Sequence, residues 1–528
     1  MIHLGIDFGT ANTRVSKLGN LSVPAVIQIG KASYSLDMMP STCWIDGDGR
    51  IEVGEESLAR PNRLRFVKRY WQQRPEDRLT PEWPSGKREI NGRTYTCEEV
   101  VEATLREAVT RALEAVKPSE RKNGFTANLV CPVEFDRSKR LALVQMLTKQ
   151  GAAAINLGNV IDEPLAAAVL YCRIEEHPPV RRDLLVFDAG AGTVDVAIVR
   201  YEEANGVKRA TVLAEAGRCV AGADLDGVMQ EVVLRKLAVQ LPTLSPEDVF
   251  REYNSDLDAG KIAFEDDCER MKMLLGRNSV VALSRVGLLG LNEAALSVER
   301  DEYLKAARTV LFALRDAAQS AVKMAKTMIQ DFNGIELAVF VGGTSRLPFV
   351  RDCVREVIPG AKVLTNEYLD EMLATVRGAG FSKDFGDLVV LRPPYETRLR
   401  VALSSGGTET LVVNEAFQSF PKQQFFYTSV PVIRMSREFG SPIATLRVTF
   451  VSPTGKYIDV PDEELDPELF RGSRCIEAQL NVHASLCIRG EMTSKSVRAP
   501  YFTQVGLLPA EPFDIRKLNA PAVYPDDN

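Results

Sequence analysis

The chain has 528 residues, 45% apolar and 26% charged, an ordinary globular composition with enough material for about three or four domain-sized cores. A formal net charge of −6 gives no overall attraction to nucleic acid or to an anionic membrane. Three scattered histidines, His3, His177 and His483, suggest neither a His-based zinc site nor a Ser–His triad.

In chain order, the first element read from the pattern is a strand through Leu4-Gly5-Ile6-Asp7, closed by the turn Phe8-Gly9-Thr10-Ala11-Asn12-Thr13 and followed by a second strand, Arg14-Val15-Ser16. These opening residues read as a strand and not as a secretion signal. Val160-Ile161-Asp162-Glu163-Pro164 predicts a helix start with Pro in the first turn. Glu163 sits at its mouth, either complementing the helix dipole or polarising water or a metal. Leu185-Val186-Phe187-Asp188 repeats the N-terminal design, with the turn Ala189-Gly190-Ala191-Gly192-Thr193, then Val194-Asp195 and a return strand Val196-Ala197-Ile198-Val199. Glycines in such turns let backbone N–H groups face an anion, and the Thr hydroxyl adds a donor. An Asp at a strand end repels phosphate but suits a hydrated cation. Either segment alone also reads as a Gly-turn hairpin with a capping Asp; two facing each other would clamp a nucleotide and its metal. Leu337 to Val341 predicts a buried strand, Gly342-Gly343-Thr344-Ser345-Arg346 a turn, and Leu347-Pro348 a helix start. That is an ordinary corner, or a close approach for ribose and phosphate with Arg346 stacked on a base.

Gly386 to Pro394 is a short aliphatic run closed by two prolines and reads as a linker. Beyond it, Ala444, Leu446, Val448 and Phe450 alternate with polar residues, as do Ile476, Ala478, Leu480 and Val482, which predicts half-buried antiparallel strands. Phe425, Phe426 and Tyr427 could line a groove or fill a core. Nine singly placed cysteines read as reduced thiols of a cytoplasmic protein, and no apolar run is long enough to span a membrane.

These motifs, in this order, resemble the actin/hexokinase/chaperone ATPase superfamily, and within it the heat-shock-70 (DnaK-like) chaperones. Asn62 to Arg69 resembles the family segment with its catalytic lysine, Pro132 to Arg140 has the family's Pro and Arg, Ala221 to Asp226 resembles Gly-Gly-Glu-Asp-Phe-Asp, and Cys268-Glu269-Arg270-Met271-Lys272 resembles the adenosine-contacting helix. The resemblance implies an α/β fold: an actin-like two-lobed ATPase domain over 1–385, a linker at 386–394, a short β-sandwich-like domain over 395–505 resembling a substrate-binding domain, and a disordered tail over 506–528. Lobe I would span about 1–182 and lobe II about 183–360, with a closing helix to 385. No extended amphipathic pattern follows about residue 505, so the family's helical lid is expected to be absent.

The resemblance also implies roles. Asp7 and Asp188 would hold the Mg²⁺ shell, Thr10 and Thr193 would donate to the β- and γ-phosphates, and Asp195 would help bind a monovalent cation, K⁺. Lys68 would neutralise charge on the transferring phosphoryl and Glu163 would place the attacking water; otherwise Lys68 is a solvated lysine beside Arg65 and Arg69. Gly9, Ala11, Asn12, Gly190, Ala191 and Gly192 would shape the phosphate turns, while Gly222, Glu269, Lys272, Gly342, Gly343, Thr344 and Arg346 would complete the nucleotide site. Pro132 and Arg140 would form an interdomain switch, or be a turn proline and a surface arginine. Several positions depart from the family: Met273 where a second adenine-stacking Arg is expected, Gly276 for a Ser, Ala191 for a Gly, and Ala223 for an acid.

The expected function is ATP hydrolysis to ADP and phosphate that regulates binding of an extended peptide or client protein, with a J-domain co-chaperone and a nucleotide exchange factor as partners. A nucleotide-dependent scaffold with one dedicated partner is the alternative. A small-molecule kinase and an actin-like filament fit the linker and the β domain less well.

Overall fold

Ile2, Leu4, Ile6 and Phe8 fall on one face of strand β1 (Ile2–Phe8) and are 9% exposed or less. The computed structural model containing this strand describes residues 2–18, 23–72, 86–121, 124–148, 155–174, 181–204, 207–283, 296–328, 332–364, 372–381, 396–415, 432–451, 457–481, 485–491 and 493–498. The chain divides into two compact units, Met1–Leu391 with Pro421–Pro431, and Arg392–Phe420 with Val432–Asn528.

The first unit contains two sheets of the same design. In one, β1, β2 (Asn12–Leu18) and β3 (Ala25–Ile27) form an antiparallel meander. Strands β4 (Phe125–Cys131) and β5 (Ile155–Asp162) continue the sheet in parallel on the far side of β1, and the short strand Met39–Pro40 pairs with β2. In the other, β6 (Arg181–Ala189), β7 (Val194–Ala204) and β8 (Val207–Arg218) form the meander, and β9 (Leu337–Val341) and β10 (Lys362–Val363) add in parallel beyond β6. The central strands β4 and β9 are buried along their whole length, as expected of strands covered on both faces.

The helices that matter to the site are α1 (Val67–Gln72), α2 (Arg137–Thr148), α3 (Glu163–Ile174), α4 (Gly222–Gln240), α5 (Leu257–Leu275), α6 (Pro348–Arg355) and α7 (Ala374–Gly380). Pro348 opens α6, as read from the sequence. Leu165 to Tyr171 of α3 are all buried, in one apolar cluster with Val130 and Ile161 of the first sheet, Leu184 and Val186 of the second, and Ala374 and Ala379 of α7. A helix apolar on every side must be packed on every side. The contacts of α7 are backbone-close: a methyl group on Gly378 would collide with the carbonyl of Ala166, and one on Gly5 with the backbone of Gly380. Ser16 Oγ donates to Val376 O at 2.6 Å and Asn128 Nδ2 to Ala379 O at 2.8 Å.

Arg140 is not a surface residue. It is 1% exposed and donates to Phe135 O at 2.9 Å, to Pro132 O at 3.2 Å and to the carboxylate of Asp162.

The second unit is all antiparallel in its sheets. Strands β11 (Glu396–Leu403), β12 (Thr408–Asn414), β14 (Ile443–Val451) and β15 (Tyr457–Asp459) form one sheet in the order β12-β11-β14-β15. Strands β13 (Val432–Glu438), β16 (Cys475–Asn481), β17 (Ser485–Arg489) and β18 (Ser494–Arg498) form the other, in that order. Leu446, Val448, Phe450, Ile476, Ala478 and Leu480 point inward, following the period-two pattern. Ala444 does not follow it: the pairing with β11 skips one residue there, and this bulge turns Ile443 inward instead. The linker 386–394, Phe425 to Tyr427, Val482 and the 506–528 tail lie outside the described residues. No helix among the described residues is long and apolar enough to cross a membrane.

Helix propensity alone favours Ala over Gly by about 1 kcal/mol, so Gly378→Ala tests the close approach of α7 to α3. The collision with Ala166 should win and destabilise the first unit by about 1–3 kcal/mol. Thermal unfolding measures it, and an unchanged or higher melting temperature would contradict the packing.

Candidate active site

Each sheet delivers one aspartate and one glycine turn to the same place. Asp7 ends β1 opposite Arg14 of β2, and Asp188 ends β6 opposite Asp195 of β7. Gly9 is required by its own turn, where a Cβ would collide with Asn12 O. Gly192 is required by the other turn: a Cβ there would lie 2.7 Å from Thr10 Oγ1, so the two turns touch across the gap. Gly342 has φ of +82°, and a side chain would press on Asp188 Oδ1 at 2.6 Å. Ala191 is not among the residues with positive φ, so alanine is unstrained there.

Between the turns lies a cleft of about 260 Å³. Asp7, Gly9, Thr10, Ala11, Asn12, Lys68, Glu163, Asp188, Gly190, Ala191, Thr193, Gly222, Glu269, Lys272, Gly342, Gly343, Thr344 and Arg346 all line it. Asp195 and Gly192 do not. Asp195 is fully buried behind the cleft, where Oδ1 accepts from Val133 N at 2.8 Å and Oδ2 is buried with no hydrogen-bond partner among the described residues.

Lys68 is 3% exposed, so it is no solvated lysine. Its Nζ donates to Phe8 O and, at 3.0 Å, to Glu163 Oε1. Glu163 is the first residue of α3, which places its carboxylate at the positive end of that helix. The carboxylates of the cleft repel one another. Burial and the neighbouring Glu163 push Asp7 up to about 6, against the pull of Arg14 and Lys68. Burial, Glu163 and Asp7 push Asp188 well above the carboxylate range, and burial, Glu163 and Asp188 do the same to Asp195. Thr375 Oγ1, 3.1 Å from Asp188 Oδ2, partly offsets the shift of Asp188.

Toward the other end, Lys272 Nζ pairs with Asp226 Oδ1 at 2.5 Å and donates to Gly222 O at 3.4 Å. The segment before α1 and the first turn of α1 cross to α4 and α5 through ion pairs: Arg63–Asp266 at 2.6 Å, Arg65–Asp266 at 3.2 Å, Arg65–Glu269 at 2.7 Å, and Arg69 of α1 with Asp224. Phe66, at φ of 57°, lines the cleft beneath this bridge, and strained non-glycine backbone of this kind clusters at functional sites. Met273 lines the cleft with Arg346 and Met372. The sequence reading missed Arg14, Phe66, Met372 and Thr375. For Arg14 there was a signal, a charged residue within a strand whose neighbours Thr13, Val15 and Ser16 are apolar or small.

The residues fit a nucleotide with a hydrated cation. Crowded carboxylates that resist ionisation and a buried unpartnered oxygen on Asp195 call for positive charge. Among the described residues no three His, Cys, Asp or Glu side chains converge on one direct ligand position, so an ion would keep much of its water shell, as Mg²⁺ does. Facing glycine turns with Thr10 and Thr193 supply anion donors.

The upward shift of Asp7 means that the empty protein binds a proton more tightly folded than unfolded. It should therefore lose stability as pH rises from about 4 to 6 through this group. Asp7→Asn should remove that slope and stabilise the unliganded protein at pH 7 by on the order of 1 kcal/mol. Urea unfolding at pH 5 and 7 checks this; a variant less stable than wild type at pH 7 would contradict the repulsion.

The sequence profile of the family described as Hsp70 protein matches residues 82–383, more than half of the chain. Two sheets of one design, each carrying an Asp and a glycine turn to a shared cleft, are the actin-like ATPase arrangement of that family. Its members bind ATP or ADP with Mg²⁺, hydrolyse ATP, and act on client proteins with co-chaperones. The chain belongs to the Hsp70 family of ATP-binding chaperones.

Proposed function

We propose that this chain hydrolyses ATP to ADP and phosphate in the cleft of the first unit, and that the bound nucleotide sets the affinity of the second unit for an extended peptide or a dedicated client. The observation that carries this reading is the buried Lys68–Glu163 pair beside Asp7 and Asp188, a cation and a carboxylate held together where the two phosphate turns meet.

In this reading Thr10 and Thr193 donate to the phosphates, with the turn residues Gly9 to Asn12, Gly190 and Ala191 around them. Lys68 leaves Glu163 in part to neutralise the phosphoryl group, and Glu163, so released, orients the attacking water. Asp7 and Asp188 would hold hydrated Mg²⁺ and Asp195 a K⁺, cations that supply charge neutralisation and phosphate alignment when bound. Gly222, Glu269, Lys272, Gly342, Gly343, Thr344 and Arg346 would take the nucleoside, with Arg346 on one face of the base and Met273 on the other. An apolar Met in place of a cation keeps dispersion contact but forgoes a cation–π term of about 0.5–2 kcal/mol, so adenine would be held less selectively. We assign residues 1–385 to the nucleotide domain, 386–394 to the linker and 395–505 to the client-binding domain. A J-domain protein and an exchange factor are the partners this cycle needs, and a cytoplasmic setting suits its free thiols.

Two experiments test the reading. Lys68→Ala should retain Mg²⁺-ATP binding and slow phosphate release by about 10²-fold or more; release at the wild-type rate would remove Lys68 from the chemistry. Leu388→Asp, in the linker, should leave hydrolysis intact and make client-peptide affinity independent of nucleotide. A peptide that still weakens on ATP addition would refute coupling through the linker, and one stoichiometric partner held equally with ATP and ADP would select the scaffold.

A further inference from the structure

Arg14 is a cation with no ion-pair partner among the described residues. It lies on β2 directly across from Asp7 in the antiparallel register, lines the cleft beside Thr10 and Lys68, and is 7% exposed. Its guanidinium makes one hydrogen bond among the described residues, from Nη2 to the thioether Sδ of Met38 at 3.0 Å. It forms no ion pair with Asp7 despite their register, although its charge reaches that carboxylate. A thioether is a weak, uncharged acceptor, and a guanidinium presents five donors. Burying such a group without a carboxylate is strongly unfavourable. The other buried arginines of the first unit do not accept this: Arg140 has Asp162, Arg200 has Asp183, and Arg69 has Asp224.

The open direction is the cleft, which Arg14 lines together with Asp7, its partner across the strands, and with Lys68 and Glu163. An anion there completes the partner set of Arg14. Planar, two-pronged donors match phosphate oxygens, and contacts of this charge-assisted kind are about twice as strong as neutral ones. Resting on the nucleotide reading above, we propose that Arg14 is a second cationic positioning residue of the site, binding the terminal phosphate of a nucleoside triphosphate and setting the preference for triphosphate over diphosphate. Lys68 is already engaged by Glu163 and Phe8 O, so the two cations divide the work: Lys68 is shared with the water-placing acid, and Arg14 is kept for phosphate.

The test uses the full chain with Mg²⁺, titrated calorimetrically with ADP and with the non-hydrolysable β,γ-imido analogue of ATP. Arg14→Met keeps the length of the side chain beside Met38 and removes the charge. It should weaken the analogue by about 10–100-fold while changing ADP by less than about 3-fold. Arg14→Lys, with charge but no fork, should fall between wild type and Arg14→Met in that ratio. Equal weakening of both nucleotides, or an unchanged ratio, overturns the inference. If Arg14→Met does not fold, the ratio in Arg14→Lys decides in the same way. Wild-type protein that binds neither nucleotide sinks the nucleotide reading itself, whereas wild-type binding with an unaltered ratio in the variants sinks only the role of Arg14.

Discussion

Three aspartates, Asp7, Asp188 and Asp195, sit with Glu163 around one cleft and its back wall, and burial and mutual repulsion push the three aspartates above the ordinary carboxylate range. The rest of the first unit can be understood as the apparatus that keeps them together. Two sheets of the same topology each carry an Asp one residue before the end of a strand, in β1 and β6, and α3, apolar from Leu165 to Tyr171 and packed against both sheets, carries Glu163 at its start. The protein offsets the repulsion only in part, with Lys68, Arg14 and the hydroxyl of Thr375. What is left over is a site that favours added positive charge. A site so built trades stability of the empty state for tightness of the loaded one.

The glycines separate into those the fold needs and those it does not. Gly9, Gly192 and Gly342 are pinned by protein atoms: Asn12 O, the Thr10 side chain, and Asp188 with Ala189. Gly190 meets nothing closer than Thr193 O at 3.8 Å, ordinary contact distance. Packing alone therefore gives no reason for glycine at 190, and the reason has to lie on the open side of the turn. The same comparison accounts for Ala191, which occupies ordinary backbone space where a glycine was expected.

The parts of the structure that could be read from sequence are those whose cause is local. The two hairpins, the helix beginning at Glu163, the turn before Pro348 and most of the alternation in β14 and β16 each depend on a dozen neighbouring residues or fewer. The single failure of that alternation, at Ala444, came from a bulge dictated by the partner strand, which a one-strand pattern cannot contain. Thr375 was invisible because its partner Asp188 is far away in the chain. Arg140 looked like a possible surface residue because nothing near it signals the buried carboxylate of Asp162. The cross-links from Arg63 and Arg65 to Asp266 and Glu269 likewise exist only after two distant segments have met.

Helix α7 is seven residues long and touches both sheets. Thr375 holds Asp188 of the second, while Val376 and Ala379 offer carbonyls to Ser16 and Asn128 of the first, and its glycines leave no slack. Such a helix works as a hinge pin. If the two sheets swing relative to each other, the pin must tilt or lose one set of bonds, and either change is passed at once to Phe381, where the described part of this segment ends. Any change in the angle between the sheets would then reach the end of this segment through a rod shorter than the sheets it joins, with no chain of strained side chains in between.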